Sequence, residues 1–120
     1  MSIEIIKKRI SFQKLKEIAE DNYGTMVKGV IDVHLEIIAL GGELHADAEA
    51  ILLQKGSQQK NLWGFNIYPD KPNNKRIEYT SLINIRPSQN NRSLEIRNVE
   101  LKTKIRKIIN SLIEGKYGKK

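Results

Sequence analysis

The chain has 120 residues, 39% hydrophobic and 29% charged, which suits one folded domain with one continuous core and excludes a wholly disordered chain. It contains no cysteine, which rules out disulfides, a thiolate zinc site and a cysteine nucleophile, and no apolar run approaches the roughly 18 residues that suggest a bilayer span. The formal charge of +7 is uneven: residues 1–50 hold six Lys and Arg against nine Asp and Glu (net −3), residues 51–120 fifteen against five (net +10), so the later half is expected to meet polyanions.

Ile3 and Ile5, with Glu4 between them, alternate as in a short strand leading into the charged connector Lys7-Lys8-Arg9. No basic start followed by a long apolar stretch occurs here, so a secretory signal is not expected and the anticipated location is cytoplasmic. Ser11 is suited to cap a helix over residues 12–22, in which Phe12, Leu15, Ile18, Ala19 and Tyr23 recur at helical spacing and Gly24 supplies the stop. Further on, Ile31, Val33, Leu35, Ile37 and Ala39 fall at every second position, which favours one strand from Val27 to Leu40 with Asp32, His34 and Glu36 on its other face. Val30 and Ile38 break the alternation, and a hairpin turning near His34 to Glu36 is the alternative.

After Gly41-Gly42, the Ala, Glu and Leu content from residue 47 onward predicts a short helix with Asp47 as its cap, ended by Gly56. A polar loop then leads to a strand from Leu62 to Tyr68 with Trp63, Phe65 and Ile67 on one face. Beyond the turn residues Pro69 to Lys75, a second strand is predicted in which Ile77, Tyr79, Ser81, Ile83 and Ile85 alternate with Glu78, Thr80, Leu82 and Asn84. Pro87 to Ser93 is polar and irregular, Leu94 and Ile96 add a brief extended piece, and Asn98 is placed to cap a final helix from Val99 to Glu114. Leu101, Ile105, Ile108, Ile109 and Leu112 mark its apolar face, with Lys102, Lys104, Arg106 and Lys107 around the rest. The expected fold is a single α+β domain over residues 1–114: a mostly antiparallel sheet of four to five strands with about three helices packed on one face. A flexible basic tail is expected over residues 115–120.

Several blocks stand out: Gly41-Gly42-Glu43-Leu44-His45-Ala46-Asp47, Gly56-Ser57, Leu62-Trp63-Gly64-Phe65-Asn66-Ile67-Tyr68-Pro69, Ile83-Asn84-Ile85-Arg86-Pro87-Ser88-Gln89 and Asn91-Arg92-Ser93. In these the chain resembles, over nearly its whole length, a small prokaryotic family known only as a domain of unknown function. The resemblance implies a single domain and brings no activity, cofactor or site residue with it.

Two sets of residues are candidates for chemistry. Glu43, His45, Asp47 and Glu49 are the densest group of metal ligands or acid-base groups; on an extended strand Glu43, His45 and Asp47 point the same way and suit one divalent cation, whereas a helix starting near Ala46 separates them. Their plain structural role is negative charge at a helix N-terminus. His34 and His45 are the two histidines, and nothing in their spacing requires them to meet. Arg86, Ser88, Gln89, Asn91, Arg92 and Ser93 form the second set, an anion-binding cluster in which a planar guanidinium is flanked by amides and hydroxyls. The competing role is a capped turn whose Ser and Asn side chains satisfy the backbone. Asn66 and Asn84 are candidates to join this set from adjacent strands, depending on a register the sequence does not give. Trp63, Phe65, Tyr68 and Tyr79 read either as a stacking surface for bases or, on their alternation, as core. Neither a dinucleotide fingerprint, a nucleoside-triphosphate loop nor a nucleophile elbow occurs.

The leading functional expectation is a non-catalytic binding module that holds RNA, DNA or an acidic protein partner through the basic later half. The alternative is a metal-assisted hydrolase or nuclease using Glu43, His45 and Asp47, which alone calls for a divalent metal; no other cofactor is expected. A third reading is a protein-protein role, such as homodimerisation through the final helix.

Overall fold

The computed structural model describes residues 1–116. Ile3–Ile6 form strand β1, and Ser11 caps helix α1 (Phe12–Glu20), its hydroxyl accepting the Lys14 N–H at 3.0 Å. The stretch from Val27 is a hairpin and not one strand: β2 (Val27–Asp32) turns back into β3 (Ile37–Gly41). Asp32 makes that turn. Its buried carboxylate accepts the His34 and Leu35 N–H groups at 2.9 Å each and the Ser57 hydroxyl at 2.6 Å, while Glu36 takes a left-handed φ of 57°.

Helix α2 (His45–Gln54) follows, and then strand β4 (Leu62–Ile67). The expected long strand after the proline turn is cut to β5 (Ile77–Glu78), although its alternation continues to Ile85. The reason lies in β4. At Gly64 a Cβ would overlap Ser81, so the chain beyond Thr80 crosses closely over this position. Asn84 then takes the place of a strand neighbour: its Oδ1 accepts the Gly64 N–H at 2.8 Å and its Nδ2 donates to the Gly64 carbonyl at 3.0 Å. Residues Leu82–Asn84 and Pro87–Gln89 are short 3₁₀ turns. Helix α3 (Val99–Leu112) is capped by Asn98, whose Oδ1 accepts the Leu101 N–H at 2.8 Å.

The strands form one antiparallel sheet in the order β1-β3-β2-β4-β5. Alternation along β2, β3 and β4 gives the sheet two apolar faces. Ile31, Ile38, Leu40, Phe65 and Ile67 pack with Leu15 and Ile18 of α1 and Ile105 and Ile109 of α3. On the reverse, Val30, Ala39 and Leu62 pack with Ala48 and Leu52 of α2. The helices therefore cover both faces, which corrects the one-face expectation; the near-continuous burial of β2 and β4 follows from it. Phe65 lies across Gly29 of the paired strand, where any Cβ would overlap its ring.

The end of α3 is held by arginines from elsewhere. Arg76, fully buried, donates to the Ile113 carbonyl at 2.7 Å, the Glu114 carbonyl at 3.2 Å and the Asn110 side chain at 3.0 Å, and Arg9 donates to the Asn110 and Ser111 carbonyls at 2.8 and 3.2 Å. Cations there complement the negative end of the helix dipole. Burial and the nearby Arg9 push the Arg76 pKa down to about 10. Gly115 is buried against Asn73, and residues 117–120 of the expected basic tail lie outside the described residues. No helix among the described residues is long and apolar enough to cross a membrane.

Candidate functional site

The acidic set sits at the start of α2 and does not converge. Asp47 is the third helical residue and not the cap; its carboxylate accepts the Leu44 N–H at 3.3 Å and it is exposed. His45 turns inward, its Nε2–H donating to the Phe65 carbonyl at 2.9 Å. Glu43 takes part through its main-chain carbonyl, which accepts the Tyr23 hydroxyl and the Lys28 ammonium at 2.9 Å each. The helix begins at His45, so its turn spreads the three side chains, as anticipated for a helix starting near Ala46. Among the described residues no group of three or more His, Asp or Glu is placed to hold a metal ion. Glu49 faces another way, near Arg86.

In the arginine loop, expected as an anion-binding cluster, Arg86, Gln89, Asn91 and Ser93 bond to the chain's own carbonyls. Arg86 is buried beneath the loop and donates through Nε to the Ile83 carbonyl at 3.1 Å, through Nη1 to the Gln59 carbonyl at 2.7 Å and to the Gln89 side chain at 3.0 Å, and through Nη2 to the Leu62 carbonyl. Its guanidinium stacks 4.2 Å from the centre of the Trp63 ring. Burial lowers its pKa, opposed by Glu49. Asn91 is likewise engaged, donating to the Asn84, Ser93 and Glu95 carbonyls and accepting the Arg97 N–H. Ser93 donates to the Glu95 carbonyl and accepts from Arg97, and Gln89 donates to the Lys60 carbonyl. Ser88 and Arg92 are exposed, at the rim of this knot. Trp63 and Phe65 are core, 4% and 0% exposed, so they offer no stacking surface.

Positive charge without acidic partners lies on the β1–α1 connector and on α3. Lys7, Lys8 and Arg9 are exposed on the connector between β1 and α1, and Lys104 and Lys107 are exposed on α3. The connector runs beside the end of α3, through the Arg9 bonds above and the Ile10 N–H on the Leu112 carbonyl at 2.8 Å. Ion pairs take up Lys14, Lys16 and Lys102, and none involves these five cations among the described residues. Lys104, Lys107 and Ser111 line a shallow groove of about 450 Å³ that Glu36 and Glu100 also enter, so the positive excess is greatest toward the connector.

A further polar group was only partly anticipated. Pairing across the sheet sets Lys28 of β2 beside Asn66 of β4, and Asn66 beside Glu78 of β5. Asn66, 8% exposed, donates to the Glu78 carboxylate at 2.8 Å and the Thr80 carbonyl at 3.4 Å, and the Tyr68 hydroxyl donates to the same Glu78 oxygen at 3.1 Å. Its own carboxamide oxygen is buried with no hydrogen-bond partner, a condition that typically costs about 1–3 kcal/mol. His45 closes the row from α2. Burial pushes its pKa below the ordinary 6.5, against the Phe65 carbonyl, the Asn66 side chain and Glu78, which favour the charged ring; Lys28 adds to the lowering. Lys28, His45 and Asn66 line a cleft of about 320 Å³ whose remaining wall is mostly apolar. The signal for this row was present as polar residues alternating out of the apolar stripe of β2, β4 and β5, but reading it required the register.

A family model described as Protein of unknown function (DUF5674) matches residues 4–112 of the chain. No curated protein and no solved structure matches it.

Proposed function

We propose that this chain, which belongs to the DUF5674 family and inherits no activity from it, is a non-catalytic module that binds a nucleic acid by its phosphate backbone on the surface shared by the β1–α1 connector and α3. The observation that carries the reading is the set of four exposed lysines, Lys7, Lys8, Lys104 and Lys107, on adjoining elements and without acidic partners among the described residues, with Arg9 between them bonded to the end of α3. Cations left free in this way attract phosphates by counterion release and steer association at long range. Because Trp63 and Phe65 are buried, the reading is one of charge and not of base stacking or sequence recognition.

Fluorescence anisotropy with a labelled 20-nucleotide duplex and single strand, across a salt series, tests this. The expected result is binding at low salt with a log-log slope of about −3 to −5, reduced by about 3 or 4 in the variant K7A/K8A/K104A/K107A. Absence of binding at low salt, or an unchanged slope in the variant, overturns the reading. Binding of polyglutamate with none of either nucleic acid moves the assignment to an acidic protein partner.

A further inference from the structure

The cleft beside α2 has a composition that the basic surface does not explain. Its apolar wall comes from Leu44, Ala46, Leu82, Ile83 and Leu94, and three of these side chains are unusually open for their type: Leu82 is 77% exposed, Leu44 55% and Leu94 44%. Exposed leucines gathered around a concavity mark a contact surface for an apolar group. Among the lining residues the one charged side chain is Lys28; Glu43, Asp47 and Glu78 are not in the wall. The N-terminal turn of α2 opens here as well, and its cap residue is Leu44, which has no side-chain acceptor for the first N–H groups. Lys28 and the first N–H groups of the turn favour a carboxylate, against the one negative charge of the turn, the exposed Asp47 bonded to the Leu44 N–H. At the floor, Asn66 is more than nine-tenths buried, its amide nitrogen fixed on Glu78 and Thr80, and its oxygen without a donor. His45 can donate to that oxygen only when its ring is charged, because the N–H of the neutral ring is spent on the Phe65 carbonyl, so beside the neutral ring the oxygen lacks a donor.

We propose that this cleft captures the carboxyl-terminal residue of a peptide or protein chain whose last side chain is apolar. The terminal carboxylate meets Lys28 and the first turn of α2, the last side chain enters between Leu82 and Leu94, and the last peptide N–H supplies the donor that the Asn66 oxygen lacks. Capture of a C-terminal carboxylate by main-chain N–H groups is a recurrent mode of peptide recognition. A free amino acid fits less well, because its ammonium group would need a carboxylate and none lines the cleft. The exposed leucine rim likewise extends past what one residue would cover.

The test is an NMR titration of the full chain with an acetylated tripeptide ending in leucine, following the Lys28, Ala46, Asn66 and Leu82 signals. The free-carboxylate peptide is expected to shift these signals, and its C-terminal amide to bind about tenfold more weakly or worse. A tripeptide ending in glutamate is expected to lose a similar factor, since its charged side chain meets an apolar wall. Leu82→Ser and Lys28→Met each remove one part of the site and should weaken binding about fivefold or more, while leaving the fold intact because neither side chain is in the core. Equal affinity for acid and amide, free leucine binding as tightly as the peptide, or shifts absent at saturating peptide each overturn the proposal. The ligand series decides the matter without any variant.

Discussion

Arg86 with its loop, and the connector with α3, both carry basic side chains, and the fold uses them in opposite ways. Around Arg86 the cation is an internal fastener: every nitrogen of its guanidinium bonds to a carbonyl or amide oxygen, and its face stacks on Trp63. Around Lys7, Lys8, Lys104 and Lys107 the charges are exposed and without acidic partners among the described residues. The difference is one of desolvation. A buried guanidinium persists only where carbonyl oxygens replace its water, so its binding capacity is used up within the chain. An exposed lysine keeps its hydration and can exchange it for a phosphate.

This contrast is broken most directly at Arg86. Arg86→Ala removes the donors for the Ile83, Gln59 and Leu62 carbonyls, and a loss of about 3–4 kcal/mol is expected in urea unfolding; nucleic-acid affinity of the folded variant should be unchanged. If stability holds and affinity drops, the two regions have been assigned the wrong way round. Next in size is Asn84→Ala, which leaves the Gly64 N–H and carbonyl without their partner inside the sheet and should cost about 2–3 kcal/mol. Its effect on salt-dependent binding should be nil.

The surface cations are expected to behave in reverse. Lys104→Ala with Lys107→Ala should change stability by less than about 0.5 kcal/mol, as for exposed residues generally, yet reduce the slope of log affinity against log salt by about 2. A loss of stability comparable to Arg86→Ala would mean that these lysines hold α3 in place. The smallest effect concerns His45. Its folded pKa lies below 6.5, so the unfolded chain takes up the proton first. The stability this confers is complete above about pH 6.5 and declines as pH falls from there toward the folded pKa. His45→Gln, which keeps an N–H for the Phe65 carbonyl, should flatten that part of the stability profile; an unchanged profile would show that another group sets it.

The candidate sites were legible to unequal degrees. That His45 and Asp47 would separate on a helix starting near Ala46 was an alternative open from the outset, and α2 begins one residue earlier. The turn-forming role of the Ser and Asn residues is readable from the loop's composition, and Asn91 and Ser93 have it. What did not show was that Arg86 would be drawn in with them, because its partners Gln59 and Leu62 lie on another element. The row of Lys28, Asn66 and Glu78 was equally hidden until strand register placed those residues side by side.

Local patterns carried the elements whose determinants are local: Ser11 and Asn98 as caps, the apolar faces of α1 and α3, the antiparallel sheet and the α+β class were determined by residue spacing alone. The packing of α2 on the opposite face from α1 and α3, the early end of β5 at Asn84, and the choice of which cations face water were decided only in three dimensions. Periodicity tells a side chain which face of its own element it occupies. Whether a polar group there meets a partner or solvent depends on segments far away in the chain, through hydrogen bonds and desolvation that no short window contains.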